Sequence, residues 1–196
     1  MFRFEKWVLT GVAIAAMIPL APAQGQPAAR PTAPAPVLRT MNFTKVNAGL
    51  YRGGRPMDAD LKALVSLGIK TDICLLGDGK GDAPKVAHER SVARALGLKF
   101  VNIPLPHHAV PPTMIDAFFQ TVLSSASQPV YVHCIHGRDR TGAMIALYRI
   151  RHDGYTGQQA LAEMKRFGFN PRHFPEFTRT VLSAPRASLP AAPVGH

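Results

Sequence analysis

Between Pro129 and Leu147 the chain passes from an apolar run through a ten-residue polar loop into an apolar helical pattern. Few architectures accommodate that order. Pro129-Val130-Tyr131-Val132 reads as a buried strand, and Ala143-Met144-Ile145-Ala146-Leu147 reads as a buried helix. His133-Cys134-Ile135-His136-Gly137-Arg138-Asp139-Arg140-Thr141-Gly142 joins them. The backbone N–H groups of such a loop, with the positive end of the helix dipole, form an anion cradle. Arg140 adds a planar fork that binds two phosphate oxygens at once. The same field favours a thiolate: a free cysteine ionises near pH ~8.5, and helix N-termini and cations lower that to roughly 3.5–7.5. A Cys134 thiolate at the floor of a phosphate cradle is a nucleophile aimed at phosphorus.

The rest of the chain alternates strand and helix patterns. Asn42 to Arg52 predicts a hairpin turning at Asn47-Ala48-Gly49. Asp58 is expected to cap a helix carrying Leu61, Leu64, Val65 and Leu67, closed by Gly68. A strand follows over Ile69–Leu76, then a glycine-rich loop over Gly77–Ala83, a helix from Pro84 to before Gly97, and a strand over Leu98–Leu105. After the Pro-rich loop Pro104–Pro112, Thr113 and Asp116 predict a capping box for a helix over Met114–Ala126. The strand Pro129–His133 enters the polar loop, and a helix runs from Thr141 to Asp153, closed by Gly154. Thr156 and Gln159 predict a second capping box, for Gly157–Phe167, and a last helix lies within Arg172–Ser183. This alternation implies parallel crossovers and an α/β three-layer sandwich, with a central mostly parallel sheet flanked by helices. The loop lies at the carboxyl end of a strand, where such sheets bind ligands.

The ends differ in composition. Arg3 and Lys6 precede an apolar stretch from Val8 to Leu20, and Ala21-Pro22-Ala23 offers a cleavage site, so residues 1–23 are expected to be a signal peptide. The apolar run is short for a membrane span. A periplasmic or secreted location follows, with an uncleaved membrane anchor as the alternative. Residues 24–37 are a Pro/Ala-rich linker, 38–183 the folded domain, and 184–196 a tail expected to be disordered.

The net charge of +11 favours anionic partners. No stripe of Lys and Arg interleaved with aromatics is present, so nucleic acid is not expected and phosphorylated partners are. His133, Cys134 and His136 match no zinc spacing, so neither metal nor cofactor is expected. Cys74 and Cys134 are the two cysteines. A disulfide between them would consume the proposed nucleophile, so they are read as two thiols or as a reversible protective pair.

His-Cys-x5-Arg-Thr-Gly resembles the active-site signature of the cysteine-dependent protein tyrosine and dual-specificity phosphatases. Asn47 to Pro56 is similar to the opening hairpin of their small bacterial and plant–fungal branch, and Phe167-Gly168-Phe169 with His173 to the end of the bacterial group. The resemblance spans residues 40–180 or so. It implies a dual-specificity-phosphatase-like fold and hydrolysis of phosphate monoesters through a phosphocysteine at Cys134. In that reading Arg140 binds the phosphoryl oxygens, Thr141 assists the departing sulfur and His133 orients the loop. His133, Ile135, His136, Gly137 and Arg138 line the substrate site. Where most relatives carry an acidic Asp, Pro104–Pro112 has none. Asp139, which has counterparts in myotubularin-like lipid phosphatases and in bacterial enzymes ending Asp-Arg-Thr-Gly, is the first candidate acid. His107 or His108 is the second, and Asp78 or Asp82 the third. Arg52 and Arg55 read as exposed hairpin charges. The expected substrate is a phosphorylated protein of the phosphotyrosine type. Phosphoinositides or inositol polyphosphates are the alternative, followed by a weakly catalytic phosphate-binding module and by rhodanese-type sulfur transfer.

Overall fold

β5 (Val130–His133) is the middle strand of a five-stranded sheet, and all four of its residues are buried. A strand covered on both faces needs such an unbroken apolar run. The structure is a computed structural model that describes residues 38–186. The expected signal peptide, the linker and the tail beyond 186 lie outside the described residues. In chain order the elements are β1 (Thr44–Asn47), β2 (Leu50–Gly53), α1 (Asp58–Ser66), β3 (Thr71–Cys74), α2 (Ala83–Ala95), β4 (Lys99–Asn102), α3 (Pro112–Val122), β5, α4 (Arg140–Arg151), α5 (Gly157–Arg166) and α6 (Pro175–Ser183). The strand order is β1-β2-β5-β3-β4; β1 and β2 form the antiparallel hairpin and every other pairing is parallel.

Helices cover both faces, as the alternating pattern requires. Leu61 and Leu64 of α1 and Ala93 of α2 pack with Tyr131 on one face. On the other, Val130 and Val132 meet Ile115 and Phe118 of α3, the buried length of α4, Met164 of α5 and Phe177 of α6. Among the described residues no helix is long and apolar enough to cross a membrane.

Several expected boundaries move. β3 covers only Thr71–Cys74 of the predicted Ile69–Leu76, because the apolar pattern reports burial rather than strand pairing. Leu75 and Leu76 are fully buried in the loop that continues toward the site. The Thr113–Asp116 capping box does not form. α3 begins with Pro112 after Pro111, and Asp116 is exposed within it. A proline in the first turn has no N–H to satisfy. Asp58 is not a cap either. Asp60 does that work, accepting from Met57 N at 3.0 Å and from Arg39 N at 2.8 Å. The Thr156–Gln159 box forms as expected, with bonds of 3.1 and 2.8 Å. The first residues of the predicted tail pack on the domain: Ala184 lies against the core, and Arg186 donates to Gly154 O at 2.7 Å.

Candidate active site

β5 delivers Cys134 to the carboxyl edge of the sheet, and α4 starts six residues later at Arg140. Cys134, Arg140 and Thr141 are all buried, with exposures of 3, 4 and 0%. Burial alone would push the Cys134 thiol up. Hydrogen bonds from the Thr141 side chain and backbone, the Arg140 charge and the Gly137 N–H outweigh it, and the thiol ends below its ordinary value. Thr141 Oγ1 is buried with no aligned hydrogen-bond partner among the described residues, so its proton is available to the neighbouring sulfur. Arg140 Nη1 donates to Leu75 O at 3.2 Å and meets Asp82 Oδ2 at 3.5 Å, so the two ends of the loop between β3 and α2 hold the guanidinium in place.

The loop is pinned to the hairpin behind it. Gly137 has φ +68, and a Cβ there would lie 2.3 Å from Gly53 C and 2.6 Å from Gly54 N. Both the left-handed backbone and the contact require glycine. Gly137→Ala is expected to lose about 2–3 kcal/mol of stability by backbone strain and overpacking, measured by urea unfolding.

His133 points away from the cradle. It is fully buried on the face that carries Tyr131, with Nε2 2.7 Å from Glu89 Oε1 and 3.2 Å from Asp72 Oδ1. These are close ion-pair contacts rather than aligned hydrogen bonds. Nδ1 lies 3.3 Å from Cys134 O. Burial disfavours the imidazolium, but Asp72 and Glu89 prevail and His133 is held well above the usual histidine range. Burial pushes Asp72 up to about 6, against the pull of His133. Arg55 closes the network from outside, its Nε 3.0 Å from Glu89 Oε2. His133 therefore forms a buried ion pair on the far face of the sheet, and does not line the cradle as expected of a substrate-binding residue. Cys74 pairs in register with His133, and its sulfur lies within 4.8 Å of the nearest Glu89 and His133 ligand atoms. That triad is the one grouping of metal-ligand type among the described residues, and its Glu89 and His133 already neutralise each other. Both thiols are free. Because adjacent strand positions face opposite sides, Cys74 and Cys134 point apart.

The expected acids divide. Asp139 lies against Arg138 Nε, at 3.1 and 3.2 Å from its two oxygens. Asp82 reaches the cradle through Arg140. Burial resists its charge, yet Lys85 and Arg140 hold its carboxyl below the usual range. His107 stacks 6.5 Å from Phe174 and is lowered by burial first and then by Arg140. His108 and Asp78 are exposed, and Asp78 has no partner in the cradle. Ile135 and Arg138 are half-buried in the loop, and His136 is exposed at its rim.

Arg52 and Arg55 overturn the reading as exposed hairpin charges. Arg52 is 1% exposed, because strand alternation places it on the same inward face as Leu50. That alternation, Leu50-Tyr51-Arg52, was the available signal. Asp72, Glu89 and Asn42 had none, since only the fold brings them to the loop.

A family model described as a dual-specificity, protein-tyrosine-phosphatase-type phosphatase fused to NAD+ kinase matches residues 38–179. The dual specificity protein phosphatase TpbA of Pseudomonas aeruginosa strain UCBPP-PA14 is 28% identical over 131 residues, covering 66% of this chain and 56% of that protein. Inositol diphosphatase DSP1 of Oryza sativa subsp. japonica is 28% identical over 114 residues, covering 56% and 49%. The chain thus spans about half the length of these curated relatives. Among solved structures, the core catalytic domain of the PP-IP phosphatase SIW14 from S. cerevisiae superposes with a TM-score of 0.63 at 22% identity, covering 75% of this chain and 87% of that one. P. aeruginosa TpbA in complex with phosphotyrosine gives 0.62 at 23% identity, covering 74% and 85%. These two likenesses confirm the three-layer fold. With its matched region running from the hairpin through α5 and into α6, the chain belongs to the dual-specificity phosphatase family described by that model.

Proposed function

We propose that this chain hydrolyses phosphate monoesters with Cys134 as nucleophile. The observation that carries the reading is a thiol held below its ordinary value at the floor of a buried strand–loop–helix cradle. The sulfur attacks phosphorus, the P–O bond to the leaving group breaks, and the leaving oxygen takes a proton. Arg140 and the loop N–H groups stabilise the charge on the equatorial oxygens. Water then attacks the phosphocysteine, returning a proton to the group that protonated the leaving oxygen, and the S–P bond breaks. Thr141 donates to the sulfur as it leaves. No step calls for a metal or cofactor. Phosphate release from p-nitrophenyl phosphate in the presence of chelator tests this, together with acid-quench trapping of a phosphorylated Cys134 peptide. Turnover without that peptide would overturn the mechanism.

Asp82 is a poor proton donor, because its carboxyl is held ionised beside Arg140. Asp139 and His107 remain. A phosphate dianion in the cradle adds negative charge that favours protonated His107, offsetting Arg140. Removing the true donor is expected to cost about 10²–10⁴-fold on an alkyl phosphate and much less on p-nitrophenyl phosphate, whose leaving group needs little protonation. Asp139→Asn and His107→Gln, each assayed on both substrates, identify it.

Phosphotyrosine-type proteins are the substrates this reading favours, supported by the similar TpbA, which was solved in complex with phosphotyrosine. The exposed His136 and half-buried Arg138 at the cradle rim support a second reading, a phosphate-rich ligand such as an inositol polyphosphate. The ratio of kcat/KM for a phosphotyrosine peptide to that for an inositol polyphosphate decides between them. The proposed location is outside the cytoplasm, supported by the residue pattern of positions 1–23. Sequencing the N-terminus of the purified protein tests it.

A further inference from the structure

Three consecutive carbonyls of the phosphate loop are captured by the hairpin segment that precedes α1. Ile135 O accepts from Arg55 N at 3.0 Å. His136 O accepts from Asn42 Nδ2 at 2.9 Å. Gly137 O accepts from Arg52 Nη2 at 2.7 Å. In a planar trans peptide the C=O of one residue and the N–H of the next point in opposite directions. Turning these three carbonyls outward therefore turns the N–H groups of His136, Gly137 and Arg138 inward. The Gly137 N–H is one that reaches the Cys134 sulfur.

Each captor is placed by more than its one bond. Asn42 has φ 56, and its amide also donates to Phe167 O at 3.3 Å, tying the loop to the end of α5. Arg52 is buried with its guanidinium 3.8 Å from the centre of the Phe167 ring. Its Nε and Nη1 have no hydrogen-bond partner among the described residues. Among the described residues no carboxylate is bonded to it; Glu163, the strongest acidic influence on it, is bonded to Arg149 at 3.1 Å. A buried cation without a bonded counter-ion is costly unless charge elsewhere compensates. The groups that do so are Glu163 and the Cys134 thiolate.

We propose that Arg52 is a positioning residue of this site: its Nη2 holds Gly137 O out of the cradle, and its charge lies on the same face of the sheet as Cys134, with Asn42 fixing the adjacent carbonyl. This rests on the phosphatase reading above. Burial lowers Arg52 to about 10, so it stays charged at neutral pH. A lysine keeps the charge but loses the planar fork stacked on Phe167.

The test compares the wild type with Arg52→Met, Arg52→Lys and Asn42→Ala. It reads the pH midpoint of Cys134 alkylation by iodoacetamide, the affinity for orthovanadate, and kcat on p-nitrophenyl phosphate. A thermal melt reports folding. In Arg52→Met the alkylation midpoint is expected to rise by about one pH unit, with vanadate binding weakened about tenfold or more. Arg52→Lys should restore the midpoint while vanadate binding stays weak. Asn42→Ala should weaken vanadate binding and leave the midpoint near the wild type. A folded Arg52→Met with an unchanged midpoint and vanadate affinity overturns the proposal, whatever its kcat. If Arg52→Met gives no cooperative melt, Arg52→Lys and Asn42→Ala decide: both binding vanadate as the wild type does would overturn it. An inactive wild type whose Cys134 vanadate does not protect would instead sink the phosphatase reading itself.

Discussion

Cys134→Ser is expected to lose at least about 10⁴-fold in kcat on p-nitrophenyl phosphate while melting within a few degrees of the wild type. A serine hydroxyl fits the space, but the cradle cannot ionise it: the hydrogen bonds from Thr141 and Gly137 and the Arg140 charge suit a polarisable thiolate, whose thiol they hold below its ordinary value. The anion cradle itself stays intact, so the variant should still bind vanadate or a phosphotyrosine peptide. That pairing of abolished turnover with retained binding is the decisive result. A Cys134→Ser protein that keeps turning over would mean that another group attacks phosphorus. One that neither binds nor folds would mean that the thiol is chiefly structural.

Removing the imidazole beneath the loop is expected to be the most destabilising single change. His133→Ala leaves Glu89 and Asp72 buried without their shared cation, at a cost of about 3–5 kcal/mol. For a domain of this size that is roughly a 10–15 °C fall in Tm. The loop rests on the same strand, so kcat should fall as well, although His133 does not face the cradle. The pH dependence carries a sign. Folding raises Asp72 from its ordinary value to about 6. A group raised on folding contributes stability that is full below its unfolded value, near pH ~3.9, and is lost as pH rises through the folded one. His133 is also raised, so its contribution is likewise lost as pH rises through its folded value, well above 6.5. Between pH ~4 and ~7 the wild type should therefore lose stability relative to Asp72→Asn, which carries no such proton. Parallel Tm-versus-pH curves for the two proteins would mean that Asp72 does not titrate in this interval.

Pro129 to Leu147 were sufficient, by themselves, to specify strand, loop and helix, and with them the place of Cys134, Arg140 and Thr141. The reason is local. A four-residue apolar run, a loop containing a left-handed glycine and a helical repeat are properties of neighbours along the chain. The Thr156–Gln159 cap was legible for the same reason, since its two hydrogen bonds lie within one turn. The sequence also carried the parallel order of the sheet, through the alternation of strand and helix patterns.

What it could not carry was long-range electrostatics. Only the tertiary structure places Asp82 against Arg140, 58 positions away in sequence, and Glu89 against His133. Only the fold buries Arg52 behind a loop 85 residues downstream. An arginine beside two glycines looks like a solvated turn when read locally. Its inward direction was open to reading from the Leu50-Tyr51-Arg52 alternation, but its partner is a backbone carbonyl, which leaves no mark in residue identity. The sequence by itself determined where Cys134, Arg140 and Thr141 stand on the strand–loop–helix unit. The tertiary structure decided which charges surround it, because their distances are set by packing between elements far apart in the chain.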